Sequence, residues 1–182
     1  MSLTDTRTGF SDTLKKVPEK RKRLIGVIAF TLAYPAMGLA VQFIPNPMVP
    51  GAVIALNMIL PVLAGYFFGP WSGAVAGGAG TGIASLLNGS MYTILAIIPH
   101  TVMGAAAGWT GRFRSEFLTG STILVGHALN MIFYLGAGVS TIPAGKAGVT
   151  LLGLATESMV DIVAIVIVIL LLKRYLYCTD RW

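Results

Sequence analysis

Four ionisable side chains interrupt the long apolar stretches of this sequence: His100, His127, Glu157 and Asp161. An ionisable group that faces lipid is expensive, so such a residue is turned toward a protein interior and commonly has a task there. Glu157 and Asp161 are four apart and share one face of a helix, and His127, Asn130 and Tyr134 share another at spacings of three and four. His100 follows Pro99, whose missing N–H interrupts helical hydrogen bonding. Asn57, Asn88 and Tyr92 add polar groups near the ends of other apolar runs.

The bland reading has weight for each. A buried His or Asn is ordinarily an interhelical hydrogen-bond partner. The carboxylate pair is harder to dismiss. Two neighbouring carboxylates in a low dielectric need a proton, a histidine or a bound cation beside them, and no Lys or Arg falls inside any apolar run. Two His and two carboxylates suit a transition metal by type. Their spacing matches no dedicated metal motif, so neither metal nor cofactor is expected. No Ser or Cys stands in a nucleophile context, and a carboxylate pair on one helix is not the opposed dyad of an intramembrane aspartyl protease. The sequence does not read as an enzyme.

These side chains need helices to hold them. Charged residues make up only 11% of the 182 and hydrophobic residues 55%, where a soluble domain carries about 25% charge. Mean hydropathy is +0.78, which describes a chain whose main solvent is lipid. Six apolar runs are predicted as transmembrane helices, at 24–44, 51–68, 71–87, 91–109, 120–139 and 148–172. A basic tail at 1–23 precedes them, with an amphipathic end at 12–23. The membrane domain covers 24–175 and a short tail 176–182.

The net charge of +6 is less informative than its placement. Six of the 13 Lys and Arg residues lie in KKVPEKRKR before the first run, which signals topology or anionic lipid more than nucleic acid. The loops FIPNPMVPG and Asn88-Gly89-Ser90 carry no charge, GRFRSE carries Arg112 and Arg114, and the link before the sixth run carries Lys146 alone. With both termini inside, Lys146 is the one cation left outside. The expected fold is therefore an all-α bundle of six transmembrane helices, N-in and C-in, in the cell membrane. The first run lacks a clear cleavage site and reads as a retained helix. The single cysteine, Cys178, excludes an intrachain disulfide and reads as a plain thiol at the inner face. GAVAGGAGTG and GAAAG let helix backbones approach closely; the first is no phosphate loop, having neither a preceding strand nor a following Lys-Ser/Thr.

The chain resembles the substrate-binding S-components of energy-coupling factor (ECF) vitamin transporters. The resemblance spans about residues 20–175. It rests on length, the basic N-terminal segment, and a hairpin from Asn57 to Gly80 that reads N-x3-P-x2-AGYFFGP-x2-GAVAGGAG. Ala29-x3-Ala33 in the first run matches a small-x3-small face which, in that family, docks on a membrane-embedded coupling subunit. The resemblance implies a subunit without an energy source of its own, partnered by that coupling subunit and an ATPase pair. It would capture one vitamin or precursor at the extracellular side beneath the loop at 42–50. The absence of a Walker motif agrees. Asn57, Asn88, Tyr92, His100, His127, Asn130, Tyr134, Glu157 and Asp161 would line or support the pocket. The acidic pair and the scarcity of outer cations favour a neutral or cationic heterocycle, such as thiamine, its precursor or a pyridoxine-like vitamin, over a polyanion. The N-terminal histidine of the family's cobalt and nickel branch is missing, so a metal cargo is not expected.

Two other readings compete. In a proton-coupled carrier or channel, Glu157 and Asp161 would relay protons. In a structural subunit of a membrane complex, the small-residue faces would be interfaces.

Overall fold

Pro18 fixes its own φ and cannot continue a helix backward, and the first helix starts directly after it. Lys22 N–H bonds the Pro18 carbonyl at 3.0 Å, and α1 runs over Glu19–Val41. Residues 20–23 are thus already helical, so the basic segment is continuous with the first apolar helix. The computed structural model describes residues 18–41, 44–47, 54–139 and 147–176. The expectations for residues 1–17, for Lys146 and for Cys178 lie outside them, as does most of the loop at 42–50.

A turn of 3-10 helix at Leu56–Met58 leads into α2, Ile59–Phe68. Then follow α3 at Pro70–Asn88, α4 at Met91–Leu95 and α5 at Ile97–Thr110. A second 3-10 turn at Gly111–Phe113 leads to α6 at Glu116–Gly120, α7 at Ile123–Gly136 and α8 at Ala147–Leu176. The described residues are almost all helical, without a strand. Among the described residues three stretches are long and apolar enough to cross a membrane: Glu19–Ala40, Glu116–Gly136 and Ala147–Lys173. Leu56–Phe68 is a shorter apolar helix.

Each of the six apolar runs is mostly helical in its described part, yet two are broken. Run 91–109 divides at Ala96, because Pro99 has no N–H to donate one turn back and therefore sits in the first turn of α5. Run 120–139 starts inside a helix that Ser115 caps, its hydroxyl accepting from Leu118 N–H at 3.1 Å.

All ten residues of α2 are buried, which makes it the central element. Its Val62, Leu63, Tyr66, Phe67 and Phe68 join Tyr34, Met103, Ile123, Ile165 and Ile169 in one core. Glycine sets how near its neighbours come. A Cβ on Gly73 of α3 would run into the Gly104 carbonyl of α5, and one on Gly104 into the Gly73 carbonyl. A Cβ on Gly65 would strike Gly104 as well, and one on Gly77 the carbonyl of His100. These obstacles are backbone and cannot swing away. The glycine-rich stretch is a helix-contact surface, where dispersion and close approach replace the missing hydrophobic drive between helices in lipid.

Outside this core the surface is apolar. Leu24, Ile25, Ile28 and Leu32 of α1, and Leu152, Met159, Val163, Ile167 and Leu170 of α8, are exposed, while Thr31, Thr81, His100, His127, Asn130 and Asp161 are buried. That distribution suits lipid outside and polar contacts within.

The two ends differ. At one, Lys173 of α8 and Tyr66 of α2 both reach Glu116, at 3.1 and 3.4 Å. Gly26, about two turns into α1, faces the Phe68 ring, so the basic start of α1 lies here too. At the other, Tyr92 donates to the Val139 carbonyl at 2.8 Å and Asn46 to that of Gly153 at 3.3 Å. Lys20, Arg21, Lys22, Arg23 and Lys173 thus belong to the first end, next to the turn that holds Arg112 and Arg114.

Candidate functional site

α7 carries the histidine and the asparagine that sequence spacing placed on one face, and both are buried. Each reaches a different neighbour, so the polar interior has two linked parts.

The first centres on His100. Tyr34 of α1 and Thr81 of α3 place their hydroxyls 2.7 and 2.8 Å from His100 Nδ1. The Asn130 amide nitrogen stands 3.1 Å from Nε2. Four helices thus meet on one imidazole. A neutral imidazole has one N–H and one acceptor nitrogen. If Nδ1 accepts from the hydroxyls, Nε2 carries the proton and needs an oxygen opposite it. A half-turn of the Asn130 amide supplies Oδ1, which otherwise has no partner. In either orientation one polar atom of that buried amide is left without a protein partner.

The second part lies one helical turn away. His127 Nε2 is 3.4 Å from Asp161 Oδ2, and the two residues are 5% and 0% exposed. Glu157, half-buried, accepts from the Ala55 N–H at 2.9 Å through Oε1, which ties α8 to the segment leading into α2. Asp161 Oδ1 is buried and has no hydrogen-bond partner. One donor atom from each of His127, Glu157 and Asp161 lies within 4.8 Å of the others. The helix faces that the spacing predicted do meet.

The other expected residues fall at the edges. Tyr134 is half-buried and packs edge-on against Tyr92, with ring centres 5.2 Å apart. Tyr92 is exposed and holds Val139. Asn57 is the exception: on the 3-10 turn it lies against α1, its amide nitrogen 3.4 Å from where a Cβ on Gly38 would stand, and its side chain hydrogen-bonds Tyr34 of the His100 cluster. Asn88 is exposed and serves its own turn, accepting from Ser90 N–H at 2.9 Å and donating to Thr93 at 3.1 Å. On α1, Ala29 is exposed and Ala33 is partly buried against the core.

Sequence reasoning passed over Tyr34, Thr81 and Asn46. Thr81 is the lone hydroxyl inside GAVAGGAGTG, and a polar side chain in a helix-contact stripe was the available signal. Tyr34 is 1% exposed although its ring ends in a hydroxyl. Asn46 reveals itself only through the carbonyl it reaches, one turn of α8 before Glu157.

No protein-family model, curated protein or solved structure matches the chain.

Proposed function

We propose that this chain is the membrane-embedded, substrate-binding subunit of an ECF-type importer and captures a vitamin or vitamin precursor at the extracellular side. The observation that carries the reading is the row His100–Asn130–His127–Asp161–Glu157. Buried polar groups in native interiors are nearly all paired; here Asn130 and Asp161 retain side-chain oxygens with no protein partner. Such atoms suit a polar solute that completes their hydrogen bonding. Asn46, bonded to α8 one turn from Glu157, supports a role for the first loop as the cover of that site. Two carboxylates with no Lys or Arg beside them among the described residues favour a neutral or cationic heterocycle.

The proposed topology is six spans with both termini inside. It is supported by the basic residues of α1, the Arg112–Arg114 turn and Lys173 sharing one end. A membrane-impermeant thiol reagent should label a cysteine placed at Ser90 from outside and one at Ser115 only after the membrane is opened. The reverse pattern would overturn the topology.

For function, the measurement is mass spectrometry of small molecules that co-purify with the protein, followed by thermal unfolding with each candidate heterocycle. One compound should raise the unfolding midpoint at low concentration. A structural subunit would respond to none, and a proton carrier would move solute in vesicles under a pH gradient with no ATPase present. In this reading the exposed Ala29 belongs to the surface that docks the coupling subunit. Ala29→Trp should then block capture of that partner and leave solute protection unchanged, whereas Ala33→Trp, pressed on the core, should also lower stability.

A further inference from the structure

We propose that His127, Glu157 and Asp161 form a binding site for a single divalent transition-metal ion. The three donors come from two helices: one imidazole nitrogen on α7 and two carboxylates one turn apart on α8. No linear motif records this, because the histidine lies thirty residues from the nearer carboxylate.

The spacing carries the first part of the argument. Zinc–nitrogen and zinc–oxygen bonds of about 2.0–2.2 Å put neighbouring donors of a tetrahedral site about 3.3–3.5 Å apart. His127 Nε2 and Asp161 Oδ2 are separated by 3.4 Å. That is long for a histidine–carboxylate hydrogen bond, which runs to about 2.7–2.9 Å when charge-assisted. It is the edge expected of two ligands sharing one ion. With Glu157 also within 4.8 Å, a small rotation of one carboxylate closes the set.

The unpartnered atom carries the second part. Asp161 is fully buried and its Oδ1 has no hydrogen-bond partner. Lone pairs of a carboxylate in a low dielectric are costly to leave bare. The cation nearest along α8 among the described residues, Lys173, lies more than three turns away, about 18 Å, and is engaged with Glu116. A divalent ion would meet the charge of both carboxylates. Imidazole with carboxylate selects zinc, cobalt, nickel, iron or manganese over calcium or magnesium, which prefer oxygen alone. Three protein donors leave at least one coordination position open. The site shares residues with the proposed solute site but needs no organic ligand, so the two can fail separately.

The test uses the full chain in detergent, with any affinity tag removed, Cys178→Ser introduced to eliminate the lone thiol, and metals stripped by a chelator. Zinc or cobalt(II) alone is then titrated by equilibrium dialysis with elemental analysis. The expected result is one equivalent bound, a higher unfolding midpoint with zinc, and visible absorption from a low-coordinate cobalt(II) centre. Asp161→Asn and Glu157→Gln should each weaken binding at least tenfold. Both keep side-chain shape, and metal-free unfolding of each variant reports whether the fold survives. No stoichiometric binding by the parent would overturn the proposal and mean that protons or hydrogen bonds alone serve the carboxylates. Binding that persists unchanged in both variants would overturn it too. Solute protection is repeated on the same chelated protein, so neither outcome alters that result.

Discussion

His100→Leu should lower stability more than any other single substitution at a polar position in this chain. The imidazole is the shared partner of Tyr34, Thr81 and Asn130, and leucine offers none of them a bond. Asn130 is left buried without its protein partner, at a cost of about 1–3 kcal/mol, while Tyr34 and Thr81 keep each other and Tyr34 keeps Asn57, so their loss is smaller. Tyr34→Phe removes one arm and leaves His100 joined to Thr81, so it should cost only about 1 kcal/mol. Thr101→Val is the contrast. Thr101 bonds only Ile97 of its own helix, at 2.7 Å, and its loss should be nearly silent. Unfolding midpoints in detergent, followed by circular dichroism, would order the variants His100→Leu, Tyr34→Phe, Thr101→Val. Equal midpoints for the first and last would mean that the imidazole network contributes no net stability.

The ordering also marks how far the sequence could be read. Helix positions were legible because apolar runs between prolines, glycines and charges leave little choice of element. The faces of α7 and α8 were legible for the same reason: spacings of three and four fix which side chains align. Partners across helices were not. Nothing in the sequence joins Tyr34 or Thr81 to His100, since the pairing depends on the backbone approach that Gly77 and Gly104 permit between α3 and α5. Asn88 shows what an asparagine before glycine does locally: its side chain closes an Asx turn. Of the Ala29-x3-Ala33 pair, only Ala29 is turned fully outward on a helix packed against α2 and α3. Three-donor geometry at His127, Glu157 and Asp161 escaped the spacing argument because metal motifs are local in sequence, and this constellation is assembled by packing α7 on α8.

The largest expected effect on binding comes from Glu157→Gln. Glutamine keeps the shape of the side chain, and its carbonyl can still accept from Ala55 N–H, where Glu157 now does so at 2.9 Å. The substitution therefore removes charge and little else. A hydrogen bond to a charged group contributes about 1.5–3 kcal/mol, so the co-purifying heterocycle should bind roughly tenfold to a hundredfold more weakly. Asn130→Ala should lose affinity by a similar factor for a different reason: the half of its amide that no protein group satisfies is the half a solute would use. It should also lower stability, because His100 Nε2 loses its neighbour. Glu157→Gln should not, and that difference separates a binding role from a folding role. Truncating Asn57 removes a group that faces α1 beside Gly38, so Asn57→Ala should cost less affinity than either. Titration calorimetry of the four proteins with one ligand gives the ranking directly. If Glu157→Gln and Asn130→Ala bind as tightly as the parent, the row of polar groups is a structural network alone, and the solute must be sought elsewhere in the bundle.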